Sequence, residues 1–122
     1  VPLYNPAGAI PAGATTGGAL TVAGNLTATG GDVIIGTAGK GLQVKTGANA
    51  KAGIGTLSSG TATVATTAVT ANSLIFVTDV DATIGNTGYL AVSSKTAGVG
   101  FTVASSFGTD AGTFNWMIVE GI

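Results

Sequence analysis

Glycine, at 21 of 122 positions, constrains this chain more than any other residue. It interrupts every window in which apolar side chains could recur at three, four and seven places, so no amphipathic helix can run. What remains is a period of two. Val, Ile, Leu and Thr alternate in short runs, and each run stops at a Gly, Asn or Asp turn. The sequence therefore predicts an all-β chain.

Three textures divide it. Residues 1–18, VPLYNPAGAIPAGATTGG, hold all three prolines, which fix φ and push their predecessors toward extended conformations. They predict an extended arm, with Val1, Leu3, Tyr4 and Ile10 as apolar anchors for a partner. Residues 19–53 carry apolar pairs two apart: Leu20 and Val22, Leu26 and Ala28, Val33 and Ile35, Leu42 and Val44. Strands this short cannot close a core alone, but they can when stacked or wound with copies of themselves. A short β-helical or intertwined segment is expected, with Leu20, Val22, Leu26, Val33, Ile35, Leu42 and Val44 between copies of a homo-oligomer. Residues 54–122 predict a small antiparallel β-sandwich or jelly roll. Its strands are expected at Thr56-Leu57, Thr61 to Ala65, Ser73 to Thr78, Tyr89 to Ser94, Phe101 to Ser105 and Asn115 to Glu120.

Charge and chemistry narrow the function. Four lysines face five acidic residues, for a net charge of −1. That leaves no basic footprint for nucleic acid or anionic lipid, and no apolar run reaches the ~20 residues of a membrane span. With no histidine and no cysteine, the usual general base, the thiolate nucleophile and the commonest metal ligand are missing. The stretch GGDVIIGTAGKGLQVK resembles the start of a phosphate loop. However, Ile34 and Gly41 stand where that loop needs a glycine and a hydroxyl residue. Asp79-Val-Asp81 opens like a calcium loop, yet its glycine comes one place late, at Gly85, and Leu90 holds the place of the closing carboxylate. Asn25-Leu-Thr27 fits a glycosylation triplet that nothing else supports. The remaining acids, Asp32, Asp79, Asp81, Asp110 and Glu120, are the only pool for a carboxylate pair. No catalytic, cofactor-binding or metal-binding residue is expected, and the chain is read as a non-enzyme.

Trp116, Tyr89 and Tyr4 could stack on a sugar ring. In Asn115-Trp-Met-Ile-Val119, alternation puts Trp116 and Ile118 on one face and Met117 and Val119 on the other. A strand apolar on both faces is central or lies at a subunit contact, which favours packing over ligand binding for Trp116.

Several pieces resemble a known family: Gly60-Thr-Ala-Thr-Val64, Ala71-Asn-Ser-Leu-Ile-Phe76, Lys95-Thr-Ala-Gly98 followed by Phe101-Thr, and Trp116-Met-Ile-Val-Glu120. In this order, across Lys40 to Ile122, they resemble the C-terminal β domain of tailed-bacteriophage virion surface proteins. These are capsid decoration proteins, head fibres, and tail-fibre or tailspike ends. The resemblance implies a homotrimeric, non-catalytic domain on the virion. An arm, a brief shaft and one head suggest a cement protein or short head fibre, bound to the major capsid protein on the capsid surface. The alternative is a receptor-binding tail-fibre tip or adhesin that recognises a cell-surface glycan through Tyr89 or a turn such as Asn86-Thr87.

Overall fold

The computed structural model describes residues 17–80 and 87–122. The arm anchors Val1, Leu3, Tyr4 and Ile10 lie outside these residues, as do Asp81 and Asn86. Contacts divide the chain into two units, 1–40 and 41–122. In the described part of the first unit there are bends and turns but no strand, and Leu20, Val22, Leu26, Val33 and Ile35 are all exposed. Period-two alternation is present there, but a strand needs a ladder partner for its N–H and C=O groups, and none is formed.

Among the described residues, the second unit carries six strands: β1 Ala52–Thr56, β2 Thr61–Ala65, β3 Ser73–Asp79, β4 Leu90–Thr96, β5 Gly100–Ser105 and β6 Thr113–Glu120. They form two antiparallel three-stranded sheets, β1-β6-β3 and β2-β5-β4. Sequential strands alternate between the sheets, and only β4 and β5 make a local hairpin. The turn Ser58 to Thr61 is closed by reciprocal backbone bonds of 2.9 and 3.2 Å. Its central residues, Ser59 and Gly60, have φ of 51° and 74°, as a primed turn requires. One residue is bulged in β4, where the register with β5 shifts between Val92 and Ser94; Ser93 donates its hydroxyl to the Thr102 carbonyl at 3.3 Å.

Inward-facing Phe101, Val103, Phe114, Trp116 and Ile118 of the two sheets, with Leu57 and Val69 from the connecting loops, build one core. Phe101 and Trp116 meet edge-on across the two sheets, with centroids 5.4 Å apart and planes at 73°, the arrangement the ring quadrupoles favour. As alternation predicts, Trp116 and Ile118 point inward and Met117 and Val119 outward. β6 is both the central strand of its sheet and apolar on both faces.

β1 is the strand that the sequence analysis placed differently, at Thr56-Leu57. Its sequence, AGIGT, reads as a turn because glycine weakens strands. The structure gives the reason for the glycines. A Cβ on Gly53 would stand 2.8 Å from Trp116 Cζ2, and one on Gly55 would stand 2.3 Å from Phe114 Cζ. The two largest aromatic side chains of β6 fill the space that β1 leaves empty. Gly55→Ala should therefore cost about 2–3 kcal/mol by overpacking, measured as a lower urea midpoint. Adding Phe114→Leu should recover part of that loss. A cost below about 0.5 kcal/mol would show that Phe114 moves aside freely.

Candidate functional site

Three loops converge at the end of the sandwich where β6 begins, and Asp110 joins them. Its Oδ2 accepts from the Ser105 hydroxyl at 2.7 Å and from Gly88 N–H at 3.2 Å, and its Oδ1 accepts from Gly112 N–H at 2.9 Å. Its backbone carbonyl accepts from Gly60 N–H at 2.8 Å, and its own N–H donates to the Phe107 carbonyl at 3.0 Å. The side chain is buried. The Ser105 hydroxyl first, and then the N–H groups of Gly112 and Gly88, hold its carboxyl below the usual carboxylate range.

Tyr89 stands on this brace. Its N–H donates to the Ser106 hydroxyl at 3.0 Å, and its carbonyl accepts from Ser106 N–H at 3.0 Å. Its neighbour Gly88 fits so tightly against residues 105–107 that a Cβ would lie 2.5 Å from Phe107 N. The Tyr89 side chain itself is 81% exposed. The backbone is fixed while the ring is free, which makes Tyr89 an aromatic ledge ordered before any ligand arrives.

The opposite end of β6 carries a second polar cluster. Glu120 Oε1 accepts from Lys51 Nζ at 2.5 Å and from the Ser73 hydroxyl at 2.7 Å, and Oε2 accepts from the Thr70 hydroxyl at 2.5 Å. Lys51 first, then Thr70 and Ser73, lower the Glu120 carboxyl to about 2. Lys95 Nζ donates to the carbonyls of Ala71 and Ser73 at 3.0 and 2.6 Å. These contacts clamp the Thr70–Ser73 turn and the start of β3 to the end of β6, to Lys51 just before β1, and to β4 of the other sheet.

Neither carboxylate is arranged for hydrolysis. Asp110 lies before the start of β6 and Glu120 is its last residue, a separation of more than ~20 Å at ~3.4 Å per residue. Paired acids in glycoside hydrolysis stand ~5–9.5 Å apart. Among the described residues, no group of three or more His, Cys, Asp or Glu could hold a metal, and no helix is long and apolar enough to cross a membrane.

Trp116 offers no stacking face, being 7% exposed within the core. It contributes only a wall to an open groove of about 690 Å³ beside β1 and β2, with Gly53, Gly55, Thr63 and Asn115. The residues expected between copies, Leu20, Val22, Leu26, Val33, Ile35, Leu42 and Val44, are exposed in the single chain. Sequence reasoning missed the Asp110 brace. Asp110 reads only as a turn residue, and its tie to Gly88 spans 22 positions.

The sandwich and its braced loops define an antiparallel β domain. Residues 49–119 match the family model of the K1 capsule-specific polysaccharide lyase, C-terminal domain. The chain belongs to that family. The matched region coincides with β1 to β6, and it supports the broader part of the resemblance, a C-terminal β domain of the phage tail-spike type and hence a virion component. Comparison with curated proteins and with solved structures gives no match.

Proposed function

We propose that this chain is a non-catalytic, host-facing structural domain of a tail-spike-type phage protein, working as a homotrimer and engaging a cell-surface glycan. The observation that carries this reading is the family match across the sandwich, to a domain named for a capsule-specific polysaccharide lyase. It favours the tail-spike reading over capsid decoration. The Tyr89 ledge supports the glycan role. A sugar ring docking on an aromatic whose backbone is already fixed loses little further ordering entropy.

The test is binding of the full chain to immobilised capsular polysaccharides and a glycan array. Stacking on an aromatic ring is worth ~0.5–1.5 kcal/mol, so Tyr89→Ala should weaken binding roughly two- to tenfold. Tyr89→Phe should keep most of it. Absence of binding to any glycan would overturn the recognition role, and binding indifferent to Tyr89→Ala would move the site elsewhere.

A further inference from the structure

The two sheets present opposite outer faces to the surroundings. On β2-β5-β4 the outward positions include Thr61, Thr63, Thr102 and Ser93, small side chains that water solvates well. On β1-β6-β3 they include Ile54, Leu74, Phe76, Met117 and Val119, with exposures of 74, 53, 55, 39 and 43%. The outward register positions of those three strands carry no charge, and the exposed Asp79 stands at the end of β3, opposite Phe114 rather than in the band. The register joins the side chains into one band, because Leu74 sits opposite Val119 and Phe76 opposite Met117. On the far side of β6, Ile54 sits opposite Asn115. The band ends at the β1 edge, which among the described residues is bridged only at Ala52, by Thr46. Ile118 N–H bonds the Lys51 carbonyl and Leu57 N–H bonds the Gly112 carbonyl. In this alternating pattern the N–H and C=O groups of Ile54 and Thr56 point away from β6.

We infer that this face is where copies of the chain meet, placing the contact on the sandwich in addition to the shaft residues. The inference rests on the structural-domain reading above. A second copy fits better than a charged or glycan partner for three reasons. First, the band carries no charge, so copies approach without like-charge repulsion, and it offers a sugar or an acidic peptide no polar handle beyond Asn115 and the threonines Thr56, Thr78 and Thr113. Second, its size argues for more than one contact. Five partly exposed apolar side chains make a patch on the order of 300–600 Å², short of the ~800 Å² per partner of a stable interface. The same chain carries Leu20, Val22, Leu26, Val33, Ile35, Leu42 and Val44 exposed as well, which supplies the shortfall when copies associate. Third, an open apolar edge strand invites uncontrolled pairing unless it is covered, and a closed ring of copies covers it on every member.

The full chain should run in light scattering at a multiple of 11.6 kDa, and the pair Leu74→Ser with Phe76→Ser should bring it to one chain mass. Thr63→Ser on the opposite sheet should leave the assembly intact. Because the chain has no cysteine, single thiols report cover directly even if the serine variants fail to fold. Met117→Cys should react with a maleimide at least tenfold more slowly than Thr63→Cys. A wild-type monomer, an assembly unchanged by the serine pair in folded protein, or equal reactivity of the two thiols would each overturn the assignment. A monomer that still binds glycan would overturn this interface and leave recognition standing. An assembly that binds no glycan would do the reverse.

Discussion

Replacing Gly100 with alanine should destabilise the sandwich by about 3 kcal/mol or more, the largest effect expected of any single methyl group added to this chain. Gly100 has φ of +151°, and a Cβ there would lie 2.1 Å from the Val64 carbonyl oxygen and 3.2 Å from Ala65 Cα. The obstructing atoms are backbone of the neighbouring strand, which cannot rotate away as a side chain can. Relief requires parting β2 from β5 at the Ala65–Gly100 pair, next to the bond from Thr66 N–H to the Val99 carbonyl. Domains of this size have only ~5–15 kcal/mol in reserve, so soluble yield should fall together with the urea midpoint. A variant within about 0.5 kcal/mol of wild type would mean that this strand pair separates at little cost.

The second expected result concerns acid. Asp110 and Glu120 both have carboxyl groups depressed by hydrogen-bond donors, Glu120 to about 2. A depressed folded-state value means that the unfolded chain takes up protons first as pH drops. The contribution is complete above the ordinary carboxylate range near 4, and it fades as pH falls toward 2. Urea midpoints should therefore be flat from pH 7 to about 5 and then decline. Asp110→Asn should lower the midpoint at pH 7, since Gly88, Ser105 and Gly112 lose a charged acceptor, and should flatten the acid limb. Asp110→Ala should do more, leaving the Gly88 and Gly112 N–H groups without their partner. Parallel pH profiles for wild type and Asp110→Asn would show that the brace contributes nothing through its charge.

The strands with sustained alternation were legible from sequence. SLIFVTD and TFNWMIVE keep a period of two over seven and eight residues, and the sandwich places each face as the pattern requires. β1 was not legible, because its glycines make sense only once Trp116 and Phe114 are known to lie beneath them. Alternation over residues 20–44 was read as strand and forms none in the single chain, since period two specifies a face and not a partner. The polar ties at both ends of β6 were beyond sequence for a related reason. Lys51 and Glu120 are 69 positions apart, and no local pattern links such residues. Tyr89 could be named as a ledge, but the brace that makes it rigid appears only when three loops are brought to one end.

The order of strands has a consequence for synthesis. β6 is the last of the six described strands to be made, yet it is the middle of its sheet, flanked by β1 and β3. Until it leaves the ribosome, β1 and β3 have no neighbour to bond, and Trp116, Phe114 and Ile118 are missing from the core. At ~5–20 residues per second, the emerging chain waits several seconds with two strands unpaired. A nascent chain released before β6 has no route to the native sheet. Chains that stop short of β6 should therefore stay out of the folded pool, since β1 and β3 then have no central strand to join.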